Sequence, residues 1–113
     1  LAPDEVLTEI RVPKATEGWS YLKFNRRAID WAIVGVAAVR SNGGARVGLT
    51  NMALTPMRAV GVEEALAGGA DPAAAAARAD EGTSPPSDAF ASDEYRRALA
   101  KVLVRRALEE TLR

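Results

Sequence analysis

The chain has 113 residues, 48% hydrophobic and 27% charged, which suits one domain with a core of its own. Fifteen Lys and Arg offset fifteen Asp and Glu, so the formal net charge is +0, without the basic excess of a nucleic-acid binder. There is no cysteine and no histidine, which excludes disulfides, thiolate and imidazole metal sites, a cysteine nucleophile and histidine acid–base catalysis.

Leu7–Val12 alternates apolar and polar residues and stops at Pro13, which predicts a half-buried strand. Lys14–Gly18 reads as a polar loop. Gly18–Asp30 reads as an irregular segment carrying Trp19, Tyr21, Lys23, Arg26, Arg27 and Asp30. Trp31–Arg40 is β-branched, aromatic and small, and predicts a buried strand. A buried helix over Ala32–Val39 is the alternative, and the Asn42-Gly43 turn decides for a strand. Arg46–Leu54 returns as its partner, with Gly48 marking a bulge or a close backbone contact.

The pattern then turns helical. Thr55-Pro56 reads as a cap and first position of a helix ending at Gly68-Gly69. Asp71-Pro72 opens a second helix, Ala73–Ala79, whose alanine run suits close packing. Glu81–Ala91 is a loop. Ser92 caps the last helix, Asp93 to about Leu112, with Asp93 and Glu94 in the first turn. Tyr95, Leu99, Val102, Leu103 and Ala107 predict its buried stripe, and Arg96, Arg97, Lys101, Arg105 and Arg106 fall on or beside the opposite face. The order predicts an α+β fold: an antiparallel sheet of about three strands (a strand, then a hairpin) packed against three C-terminal helices as a two-layer sandwich, in one domain over residues 1–113. The apolar run Trp31–Val39 is far short of the about 20 residues that span a bilayer, and no signal peptide is visible.

Gly18–Asp30 concentrates the chemistry. Tyr21, Lys23, Arg26, Arg27 and Asp30 could meet an anionic, aromatic ligand: a tyrosine packs on a flat ring, and cations grip phosphate or carbonyl oxygens. Equally, Trp19 and Trp31 could be core while Arg27 and Asp30 pair to pin the segment. Ser41–Arg46 lies between two strand-like runs and reads as a hairpin rather than a phosphate loop. Glu63 and Glu64 are adjacent on a helix and point apart, so they form no acid/base dyad. The residues fit a binding or docking module better than a free-standing enzyme.

The ordered segments LAPDEVLTEIRVP, GWSYLKFNRRAIDWAIVGVAAV, GARVGLTNMALTPMRA, EEALAGG and SDEYRRALAKVLVRRAL resemble the C-terminal domain of the flavoprotein (medium) subunit of aerobic, molybdenum-containing carbon monoxide dehydrogenases, in the xanthine dehydrogenase superfamily. The resemblance spans nearly the whole chain and rests on the ordered set, above all Tyr-x-Lys-x-x-Arg-Arg-x-x-Asp. It implies a domain of an oxidoreductase that closes over part of an FAD whose pyrophosphate is held by a preceding region of the same subunit. It also implies partner subunits, a small one with two iron–sulfur clusters and a large one with the molybdenum cofactor, and electron flow through FAD to an external acceptor. The complex would be cytoplasmic, reaching the inner face of the membrane only through assembly. By position, Tyr21 and Lys23 resemble the residues beside the flavin, and Arg27 and Asp30 those that order the adjoining loop; Arg26 matches less closely. No catalytic or metal-binding residue is implied in this chain, which would catalyse nothing alone. Leu1 in place of Met leads us to expect a domain cut from a longer subunit. The other reading is a stand-alone docking or interaction module with no flavin role.

Overall fold

The structure, a computed structural model, describes residues 1–12, 14, 18–42 and 44–113. One sheet holds four antiparallel strands in sequential order, β1 (Trp19–Phe24), β2 (Val34–Ser41), β3 (Gly44–Thr50) and β4 (Met57–Arg58). Three helices follow: α1 (Val60–Ala67), α2 (Pro72–Ala76) and α3 (Asp93–Thr111). α3 packs on β1 and β2, α1 packs on β3, and α2 sits against both helices. This is the expected α+β sandwich, with a fourth short strand.

Register explains the two faces of the sheet. Residues directly opposite one another in antiparallel strands share a face. Leu22, Val36, Leu49 and Met57 form one rung on the helix side, and Ser20, Ala38 and Val47 form the next. Val36, Ala38, Val47 and Leu49 are fully buried there against Val104, Ala107 and Leu108 of α3 and Val62 of α1. Truncating one of the larger side chains to alanine costs about 2–5 kcal/mol. The opposite face carries three other rungs: Trp19–Val39–Arg46, Tyr21–Ala37–Gly48–Arg58 and Lys23–Gly35–Thr50. Among the described residues, no helix covers it.

The hairpin lies where Asn42-Gly43 places it, closed by the Ser41–Gly44 pair; Gly43 itself lies outside the described residues. Gly44 has φ of +130°, and a Cβ there would sit 2.9 Å from Leu66 Cβ. Asp71 caps α2 by accepting from the Ala73 and Ala74 amides at 2.8 and 2.9 Å, with Pro72 at the first position. Ser92 caps α3 through the Tyr95 amide at 3.1 Å.

Several expectations are corrected. Leu7–Val12 belongs to no strand of the sheet; Pro13 and residues 15–17 of the expected loop lie outside the described residues. The first strand is instead Trp19–Phe24, within the segment read as irregular. Trp31 precedes β2 and is 93% exposed, and Trp19 is also exposed, so neither tryptophan is core. Gly48 makes no bulge, because the ladder runs through it without interruption. Thr55-Pro56 opens no helix: Met57–Arg58 first pairs with β3, and the Ala59 amide still donates to the Val47 carbonyl at 2.9 Å. α1 begins at Val60 with no side-chain cap, and α2 stops at Ala76 rather than Ala79. The buried face of α3 is Arg96, Ala100, Leu103, Val104, Ala107, Leu108 and Thr111, while Tyr95 and Val102 are exposed. Arg96, expected near the solvent side, is 2% exposed because its guanidinium finds fixed oxygens inside.

Candidate functional site

The open face of the sheet runs into a cleft of about 560 Å³ at the end of β1 and β3. Tyr21, Lys23, Asp30, Trp31, Thr50 and Leu54 are among the residues that line it. The two-residue period of β1 sends Tyr21 and Lys23 to this face while Ser20 and Leu22 turn to the helices. Ser20 Oγ donates to Glu110 of α3 at 2.5 Å, which anchors β1 from below.

Gly35 shapes the floor. A Cβ there would lie 2.5 Å from Thr50 Oγ1 and 3.7 Å from the Tyr21 hydroxyl. Thr50 therefore reaches over β2 into space that only glycine leaves, and the Tyr21 hydroxyl approaches the same spot at ordinary contact distance from the other side. Asn51, at positive φ of 59°, ends β3, and its side-chain amide donates to the Ala32 carbonyl. That bond fixes the exit of β3 against the approach to β2.

Arg96 braces the same loops from beneath. Its Nη1 donates to the Ile33 carbonyl at 2.5 Å and its Nη2 to Asp88 Oδ2 at 2.6 Å. Asp88 Oδ1 also accepts from the Phe90 and Ala91 amides at 2.9 and 3.0 Å. The Phe90 amide, then Ala91 and then Arg96 hold the Asp88 carboxyl below the ordinary carboxylate range. A second cavity of about 260 Å³ lies here, lined by Arg26, Asp30, Trp31, Phe90 and Arg96 among others. The two cavities share Asp30, Trp31, Ala32 and Asn51.

Of the residues singled out from sequence, Tyr21, Lys23 and Asp30 thus meet in the larger cleft, and Arg26 lines the smaller cavity. Arg27 lines neither. It orders the turn through its backbone, whose carbonyl accepts the Asp30 amide at 3.0 Å and the Asn25 side chain. Among the described residues no ion pair joins Arg27 to Asp30, so the side-chain pairing expected of them is replaced by this backbone turn. Sequence reasoning did not single out Gly35, Thr50, Asn51 or Arg96 for the site. A glycine in the middle of a strand-like run was the one signal that pointed to the floor.

The family model described as the CO dehydrogenase flavoprotein C-terminal domain matches residues 19–111. The chain is similar to the carbon monoxide dehydrogenase medium chain of Afipia carboxidovorans, at 39% identity over 96% of this chain and 42% of that one. It is similar to the nicotine 6-hydroxylase medium subunit of Paenarthrobacter nicotinovorans, at 33% identity over 97% of this chain and 42% of that one. A solved structure of carbon monoxide dehydrogenase from Hydrogenophaga pseudoflava superposes with a TM-score of 0.73 at 36% identity, over 84% of this chain and 36% of that one. The chain therefore spans about two fifths of the length of the curated relatives it matches.

Proposed function

The chain belongs to the CO dehydrogenase flavoprotein C-terminal domain family, and from that premise we propose that it caps the flavin of an FAD-carrying medium subunit in a molybdenum hydroxylase of the carbon monoxide dehydrogenase type. The preceding region of that subunit holds the rest of the FAD. An iron–sulfur small subunit and a molybdenum large subunit complete the enzyme. Substrate identity is set elsewhere, since relatives named for carbon monoxide and for nicotine share this domain.

The observation that carries the reading is the shared cleft of Tyr21 and Lys23 on the sheet face turned away from the helices. The cleft suits the ring end of a flavin. Tyr21, Trp31 and Leu54 offer flat and apolar surface that is largely exposed to water in the chain alone. Lys23 and the Tyr21 hydroxyl supply a cation and a donor for ring oxygens and nitrogens. The pyrophosphate end finds no match here: among the described residues no glycine-rich loop leads from a strand into a helix. When bound, the flavin supplies one- and two-electron transfer between the iron–sulfur clusters and an external acceptor. This chain's part is to orient the ring, exclude water from one side of it and place the Lys23 charge beside it.

The test uses the chain joined to its upstream region. A charge-assisted hydrogen bond contributes about 1.5–3 kcal/mol, so Lys23→Ala should weaken FAD retention roughly 10- to 100-fold. Tyr21→Phe should shift the flavin absorption band with a smaller loss of affinity. If both variants keep wild-type retention, spectrum and flavin reduction, the cleft is not the flavin site.

A further inference from the structure

Residues 6–12 are rich in β-branched and apolar side chains, belong to no helix or strand, and have no strand beside them. Arg11 Nε donates to Glu9 Oε1 at 2.6 Å. Side chains two residues apart share one side when the backbone is extended. Paired as a strand, the segment would carry Leu7, Glu9 and Arg11 on one side, and Val6, Thr8, Ile10 and Val12 on the other. Among the described residues no backbone hydrogen bond involves residues 6–12. Val6, Leu7, Ile10 and Val12 stand 58–82% exposed. The radius of gyration is 14.9 Å, against roughly 13 Å for a compact domain of this size, as expected of an arm that leaves the sandwich.

Two further facts bear on what the arm packs against. The family's domain match begins at Trp19, whereas the match to the Afipia medium chain covers nearly the whole chain and so takes in most of the arm. Those relatives are more than twice as long as this chain. The arm is thus shared with them outside the C-terminal domain.

We propose that residues 6–12 form a β-strand of a sheet in the upstream region of the same subunit. Val6, Ile10 and Val12 pack on that region's core, and Glu9 and Arg11 face outward. The unit that folds as this domain then starts near Gly18, and the arm is an interdomain clasp. This rests on the subunit proposed above and adds a positional consequence. The nine residues from Val12 to Tyr21 span at most about 32 Å, so the clasp keeps the Tyr21–Lys23 cleft within that reach of the upstream sheet.

Hydrogen–deuterium exchange of the amides of residues 6–12 tests the proposal, in the 113-residue chain and in the same chain joined to its upstream region. The expected result is free exchange in the chain alone and at least about 100-fold slowing in the joined subunit. In the joined subunit Ile10→Asp should remove the slowing and Glu9→Gln should leave it. Equal fast exchange in both proteins overturns the proposal, as does slowing in the chain alone that grows with its concentration, the mark of pairing with a second copy. If Ile10→Asp fails to fold, the two wild-type measurements still decide. A protected arm beside a flavin indifferent to Tyr21→Phe and Lys23→Ala would sink the flavin reading alone; an unprotected arm beside a sensitive flavin would sink the clasp alone.

Discussion

Gly35→Ala is the substitution for which the structure sets the sign most clearly. In a strand with ordinary backbone angles, alanine for glycine stabilises by about 0.4–1 kcal/mol, by restricting the unfolded chain. Here the new Cβ would lie 2.5 Å from Thr50 Oγ1. Thr50 is β-branched and stiff about χ1, and it belongs to a paired strand, so it cannot simply swing away. Overpacking of this kind costs about 1–3 kcal/mol. The net expectation is a loss of about 1–2 kcal/mol, or roughly 5–15 °C in Tm for a domain of this size. Thr50→Ala should remove the clash, so the Gly35→Ala/Thr50→Ala double variant should melt well above Gly35→Ala alone. Thermal unfolding followed by circular dichroism over this two-residue cycle measures the coupling. A Gly35→Ala protein at or above wild-type Tm, or a double variant with no recovery, would refute the account of the cleft floor.

Other outcomes follow from the same contacts. Arg96→Met leaves the Ile33 carbonyl and the Asp88 carboxylate without the guanidinium, and should lower stability by about 1–3 kcal/mol in denaturant titration. Asp88 has its carboxyl held low in the fold, so the stability it contributes is present above the unfolded value near 4 and is lost as pH falls through the folded value. Asp88→Asn should therefore flatten the acid limb of a Tm-against-pH curve below about pH 4. Asp71→Ala removes the side-chain acceptor for two amides and should cost about 0.5–2 kcal/mol, read as a lower denaturant midpoint with an unchanged slope.

Much of the fold is legible in local chemistry. Asp71-Pro72 and Ser92 cap through their own side chains, so their neighbours in sequence suffice to find them. The Asn42-Gly43 turn marks the hairpin for the same reason. Pairing is not local, and the errors gather there. Leu7–Val12 and Trp19–Phe24 both alternate, yet only the second finds a partner, Val34–Val39. Its alternation is obscured because Trp19, Tyr21 and Lys23 fill the solvent side of an edge strand, where apolar and polar residues mix. Thr55-Pro56 resembles a helix start, but Glu63 claims the region for the sheet: its carboxylate accepts from the Val47 amide at 2.9 Å and pairs with Arg58. Arg96 shows the limit of polarity as a guide to burial, since a guanidinium enters a core when fixed oxygens await it. In the cleft, Tyr21 and Lys23 are legible from their side-chain chemistry and from the family resemblance, although their segment reads as irregular rather than as a strand. Gly35, Thr50 and Asn51 come from elsewhere in the sheet and are joined to them only by the register.

The central claim is that the Tyr21–Lys23 cleft faces a flavin ring. Hydrogen–deuterium exchange on the joined subunit, with FAD bound and after its removal, tests it most directly. The account predicts slower exchange with FAD across β1 at residues 21–24 and across residues 51–55, which flank the cleft. Protection by FAD confined to the upstream region, with these two segments unchanged, would contradict it.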